Sequence, residues 1–242
     1  KTLWRGGPNT AKGADYYWNV NKQSAHILDE IRKAFTEGDQ AKAERLTRQN
    51  FNSEVPYEGS REKPFRFGSF TTMGEFYVET GLNIIGMSDY KRILSLDSAM
   101  AVVQFKKDDV AYQRNYFISY PANVLVMRFS ADRPGKQNLI FSYAPNPVST
   151  GSMVAQGDNG LVYSAALDNN GMKYVVRIQA ETKGGTLVNR NGKITVKGAD
   201  EVVFYVTADT DYKANFAPDF KNPKTYVGVN PVETTGQWLA NA

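Results

Sequence analysis

Few residues in this chain are of a type and spacing that could do chemistry. His26 is the single histidine, and there is no cysteine. That excludes disulfides, thiol catalysis, Cys-bound zinc, iron–sulfur clusters and multi-histidine metal sites. One Ser-His-acid arrangement is formally available, since Ser24, Asp29 and Glu30 lie near His26. Ser24, however, stands where a helix N-cap belongs, and no Gly-x-Ser-x-Gly elbow presents a serine to a base. His26 therefore reads as a helix-surface or interface residue.

Paired carboxylates would suit glycoside hydrolysis, where one acid protonates the leaving oxygen and the other activates water or attacks the sugar. Glu75 and Glu79 flank Tyr77 in a β-rich run. Strand alternation puts both on one face, roughly 13 Å apart. Working pairs need about 5–9.5 Å, so these two read as a solvated strand face. Asp209-Thr210-Asp211 opens like a calcium loop but lacks the third ligand, the glycine and the distal glutamate. With Asp219 and Glu233 it reads as a solvated loop. Gly184-Gly185 lacks the spacing of a phosphate cradle and reads as a hairpin turn. The first twenty residues offer more. Trp4, Tyr16, Tyr17 and Trp18 mix with Arg5, Asn9 and Asn19. Aromatic rings stack on the C–H faces of sugars, and Asn or Arg donate to hydroxyls. Trp4, Arg5 and Trp18 are thus candidate substrate-binding residues. Packing of the same aromatics against another part of the protein is the competing reading.

The elements that must position these residues change character along the chain. Residues 1–20 read as an irregular loop. Ile27, Leu28, Ile31, Ala34 and Phe35 then recur at helical spacing, Gly38 ends that run, and Asp39 can cap a second helix carrying Ala43, Leu46 and Phe51. The spacing predicts a helical hairpin over about 24–51. From about residue 65 the period becomes two. Short β-rich runs follow at Glu75–Glu79, Ile93–Leu96, Met100–Phe105, Tyr112–Tyr120 and Val124–Phe129, and continue to Glu201–Val206. Asp108-Asp109, Asn191-Gly192 and similar pairs supply tight turns between them. The pattern predicts a mainly β fold, a two-sheet sandwich over 1–209 with a short helical hairpin near its N-terminus. Residues 210–242, with Pro218, Pro223 and Pro231, read as a linker.

Composition sets outer limits. The 242 residues carry 29 basic and 25 acidic side chains, a net +4. Without an Arg/Lys-rich stripe this argues against nucleic acid. No apolar run approaches the roughly 18 residues of a membrane span. There is no signal peptide at Lys1, which is compatible with its removal. The abrupt start and the helix-like Gln237-Trp238-Leu239 near the end suggest part of a longer protein.

Taken in order, the segments resemble one family. Thr2-Leu3-Trp4-Arg5-Gly6-Gly7-Pro8, Gly74-Glu75-Phe76-Tyr77-Val78, Tyr90-Lys91-Arg92-Ile93-Leu94-Ser95-Leu96 and Arg114-Asn115-Tyr116-Phe117-Ile118-Ser119-Tyr120-Pro121 are similar to motifs of glycoside hydrolase family 95. That family holds α-L-fucosidases and relatives with α-L-galactosidase activity. Asn115 stands where an acidic residue is common. The resemblance implies a supersandwich at the N-terminus of a longer enzyme. A helical linker and an (α/α)6 barrel would follow, the barrel holding a Glu acid and an Asp-assisted pair of Asn residues that activate water with inversion. No catalytic residue carries over to this chain. The implied partners are the C-terminal catalytic barrel of the same polypeptide and the parent's glycan substrate, with no cofactor and no nucleic acid. Export to a bacterial periplasm or exterior is the implied location. An independent carbohydrate-binding module and a non-catalytic β-sandwich interaction protein are the alternatives.

Overall fold

A computed structural model describes residues 2–5, 24–51, 69–168, 171–215 and 226–242. The chain divides into two compact units, one holding the helical hairpin and the other the strands. In the hairpin, a 3-10 turn at Ser24–Ile27 leads into α1 (Leu28–Thr36), followed by α2 (Gln40–Phe51). Gly38 sits between them at φ +79°, a left-handed conformation that costs glycine little. The Asp39 carboxylate accepts from the Lys42 amide at 3.0 Å and caps α2. Ile31 and Ala34 bury against Ala43, with Ile27 and Leu46 half-buried beside them. Leu28 and Phe35, grouped with that face by spacing, are exposed. Each lies one residue, about 100° of turn, beyond a buried stripe that α2 covers with small side chains.

The other unit is mainly β. Its strands are β1 (Thr2–Arg5), β2 (Ser69–Thr72), β3 (Gly74–Glu79), β4 (Ser88–Ser95) and β5 (Met100–Lys107). They continue as β6 (Val110–Ser119), β7 (Val124–Ala131), β8 (Gln137–Pro145), β9 (Ser149–Gln156) and β10 (Gly160–Leu167). The last are β11 (Lys173–Lys183), β12 (Thr186–Arg190), β13 (Lys193–Ala199) and β14 (Glu201–Thr210). Eight form one sheet in the order β4-β5-β6-β7-β14-β11-β10-β9, four form a second in the order β12-β13-β8-β3, and β1 pairs with β2. Every ladder in the two large sheets is antiparallel.

The two large sheets pack as a sandwich because strand alternation gives each one apolar face. Phe141 of β8 stacks on Phe204 of β14 with ring centroids 4.6 Å apart, and Phe129 of β7 meets Phe204 edge-on at 5.9 Å. Leu161, Val176, Ile178, Ile194 and Val196 fill the space around them. Buried hydroxyls have partners: Tyr143 Oη donates to the Met73 carbonyl at 2.6 Å, and Tyr174 Oη lies 2.7 Å from Ser149 Oγ. Burial pushes the Tyr143 hydroxyl far above its ordinary pKa, so it stays a donor at any working pH. Among the described residues, none from β4 or β5 belongs to this main core. The larger sheet thus reaches past the smaller one. Phe105, Val110 and Tyr112 make a separate cluster there under Leu82 and Met87.

Three strands and one helix depart from the sequence expectation. Residues 2–5 form β1 rather than loop. Neither β2 nor β9 was expected. In β9, Ser-Thr-Gly-Ser-Met-Val-Ala-Gln, Met153 alone packs on the core, and the ladder to β10 makes the strand. The linker expected over 210–242 is, in its described parts, folded onto the sandwich. Asp211 accepts from the Lys173 amide at 2.9 Å, and Tyr212 pairs with Val227. Helix α3 (Pro231–Ala240) packs on β14 and β11, and it belongs to the same compact unit as the strands. Its start was encoded: the Asn230 side chain accepts from the Val232 amide at 3.1 Å, and Pro231 occupies the first turn, where its fixed φ and missing N–H suit a helix.

Candidate functional site

The residues singled out for chemistry do not converge. Glu75 and Glu79 point away from the core on β3, whose Phe76 packs on Phe141 and Tyr143. The Tyr77 hydroxyl donates to Glu75 between them, and that bond raises the Tyr77 pKa. This is the solvated strand face that spacing implied. His26 lies exposed in the 3-10 turn. Asp211 is buried rather than solvated, because its carboxylate extends the β11–β14 ladder by bonding Lys173 N. Asp219 lies outside the described residues. Among the described residues no three His, Asp or Glu side chains group as a metal site. Gly184 and Gly185 form the β11–β12 turn at φ +70° and +68°. Trp4 and Arg5 have their backbone in β1, while their side chains, and Trp18 entirely, lie outside the described residues.

Two surfaces stand out instead, one on each face of the overhanging part of the large sheet. On the face that continues the core, Leu94 pairs across Ala101 and Tyr116 to Met127, and Ile118 pairs with Leu125. These side chains point the way the core points, yet the small sheet does not cover them. Leu94 and Ile118 are each 71% exposed, Leu96 is 83% and Tyr120 is 88%. They cluster at the sheet end where the β4–β5 and β6–β7 turns meet. Thr207 of β14 bonds Asn123 in the second of these turns at 3.1 Å, so β14 leaves toward α3 from the same end. Spacing alone could not separate these residues from core, since they carry the same alternation as their buried neighbours.

The opposite face is polar. Register aligns Lys91, Gln104, Gln113, Ser130 and Glu201 in one row across β4, β5, β6, β7 and β14. Arg128 forms an ion pair with Glu201 beside this row. Its hydrogen bond holds the Glu201 carboxyl below the usual carboxylate range. A folded-state value below the unfolded one stabilises fully above the unfolded value, about 4.3, and that contribution is lost as pH falls through the folded value. Glu201→Gln should therefore lower the urea midpoint at neutral pH and leave it unchanged in acid. The expected loss is under about 1 kcal/mol, because the pair is partly in water. Equal losses at both pH values would count against the assignment.

The fold and these surfaces define a class: a two-sheet β-sandwich domain that carries, among its described residues, an uncovered apolar rim on one face and a polar row on the other. The chain belongs to the family described as "Glycosyl hydrolase family 65, N-terminal domain", whose sequence model matches residues 1–215. It is also 28% identical over 254 aligned positions to a protein of Aspergillus niger named "Probable alpha-fucosidase A". That alignment takes in 100% of this chain and 29% of the fungal protein, so the chain spans under a third of the relative's length. Among solved structures, a chain titled "Putative kojibiose phosphorylase from human microbiome" matches at a TM-score of 0.47 and 11% identity, covering 72% of this chain and 25% of that one.

Proposed function

We propose that this chain is the N-terminal sandwich domain of a longer glycoside hydrolase of the α-L-fucosidase kind, resembling family 95. A following (α/α)6 barrel would hydrolyse terminal α-L-fucosyl or L-galactosyl linkages with inversion. The sandwich would dock and orient that barrel. The family membership and the fucosidase-named relative support the enzyme class. The observation that carries the docking role is the uncovered apolar rim of Leu94, Leu96, Ile118 and Tyr120. Large exposed apolar patches mark interaction sites, and this one lies where β14 leads toward α3. In this reading Trp4, Arg5 and Trp18 border the substrate entrance of the barrel.

The test uses two proteins, this chain and the full-length enzyme, each with Leu94→Lys and Ile118→Lys together. In the chain alone both side chains face water, so its unfolding temperature is expected to stay within a degree or two of the parent's. In the full-length enzyme a lysine would be buried against the barrel without a partner, which is costly. There the variant is expected to melt lower and to release less L-fucose from α-L-fucosides. An unchanged full-length enzyme would remove the docking role. Full-length protein that hydrolyses no α-L-fucoside or α-L-galactoside would remove the enzyme class.

A further inference from the structure

The outer face of β4 to β7 is more than a solvated surface. Gln104, Gln113 and Asn115 form a directed chain: Gln104 Nε2 donates to Gln113 Oε1 at 2.9 Å, and Gln113 Nε2 donates to Asn115 Oδ1 at 3.0 Å. Asn115 Nδ2 ends the chain on Met100 Sδ at 3.2 Å. Every amide nitrogen keeps a second N–H, and Gln104 Oε1 at the head accepts from none of the described groups. These amides are held in place by one another, so presenting their remaining donors and acceptor to a ligand costs little further ordering.

Gln104 and Gln113 form part of the floor of a groove of about 620 Å³ that crosses four strands, with Ser130 continuing it and Asp89, Lys91, Lys106 and Asp132 at its borders. That size is within the range of ligand sites. The border charges balance, two cations against two anions. Lys106 bonds Asp89 at 2.9 Å, and Asp132 Oδ1 accepts from the Ala111 amide at 2.9 Å. A groove so balanced gives no net attraction to an anion or a cation. What it offers is a line of amide and hydroxyl groups, each able to donate and accept. Neighbouring hydroxyls on a sugar ring have the same double capacity at comparable spacing.

We propose that this groove binds a neutral oligosaccharide lying across the strands, with Gln104, Gln113 and Ser130 as its contacts. The site shares no residue with the apolar rim or with Trp4, Arg5 and Trp18, and it uses only this chain, so it stands or falls independently of the hydrolase reading.

The test follows the side-chain amide signals of Gln104, Gln113 and Asn115 by NMR while cellohexaose, maltohexaose or, as a charged control, trigalacturonate is added to the chain. One neutral hexaose is expected to shift these signals to saturation, with an affinity that added salt leaves unchanged. Gln113→Leu, with an otherwise intact spectrum, should weaken that binding about tenfold, the worth of a hydrogen bond or two. If Gln113→Leu disturbs the fold, Ser130→Ala serves instead, and a severalfold loss is expected. Three results would overturn the proposal: no saturable shift at these amides with either neutral hexaose, tighter and salt-sensitive binding of trigalacturonate, or shifts that survive the substitutions unchanged.

Discussion

Phe204→Ala is expected to lower the unfolding free energy by about 3–5 kcal/mol, the range for emptying a buried aromatic site. Phe204 has no exposed surface and sits on β14, a central strand hydrogen-bonded to β7 on one side and β11 on the other. Its ring stacks on Phe141 from the facing sheet and meets Phe129 from the neighbouring strand. Strands pinned on both sides cannot move in to fill the space, so most of the cavity penalty should remain. Phe76→Ala is the internal comparison. Phe76 touches the same Phe141, but from the edge strand β3 and with 36% of its surface exposed. Its removal should cost well under half as much. Urea unfolding of both variants checks the pair. Similar losses would mean that the sheets are not packed around Phe204 as described.

The contrast between Phe204 and Leu94 shows what the sequence made legible. Both follow period-two alternation, which correctly marks strand and inward face. It cannot say whether a second sheet lies opposite, because that depends on the strand order of the whole domain. The eight-stranded sheet has twice the strands of the sheet that covers it, so alternation overstates the core at β4 and β6. The reverse error occurs at β9, whose small polar residues carry no pattern because one neighbour, β10, specifies it. Turn chemistry read more reliably, since a left-handed residue is a local requirement. Asn191 and Gly192 take φ +51° and +70°, as their dipeptide implies. The helical hairpin was readable for the same reason, its stop and cap being local signals at Gly38 and Asp39.

The polar groove was not legible at all. Gln104, Gln113 and Ser130 are separated in sequence by a hairpin and a second turn, and register alone makes them a row. The candidates that sequence did raise were local clusters, such as Asp209 with Asp211 or Glu75 with Glu79. The structure spends two of these on architecture: Asp211 closes a ladder, and Glu75 accepts from Tyr77. Surface function on a sheet arises from cross-strand neighbours, so proximity in sequence was a poor guide to it.

Arg177→Ala is expected to release α3 from the sheet. Arg177 is 7% exposed, and it lies on β11 under the helix. Its Nη2 donates to the Val232 carbonyl at 3.2 Å, its Nη1 donates to Gln156 Oε1, and its Nε is buried with no partner among the described residues. Burial pushes the guanidinium below its ordinary pKa, though arginine remains charged in proteins. A buried cation held by neutral groups contributes little net stability, because desolvation offsets its hydrogen bonds. What it does supply is direction, since the bond to Val232 ties the first turn of α3 to β11. A hydrogen bond to a charged group is worth about 1.5–3 kcal/mol. Its loss should speed hydrogen exchange of the α3 amides roughly tenfold to a hundredfold. Amides in β10 and β14 should exchange much as before. Arg177→Met separates the two contributions. It retains the apolar stem without the charge, so global stability is expected to hold or rise while α3 still exchanges fast. Unchanged α3 exchange in both variants would show that Pro231 and Thr235, which are buried against the sheet, hold the helix without the arginine.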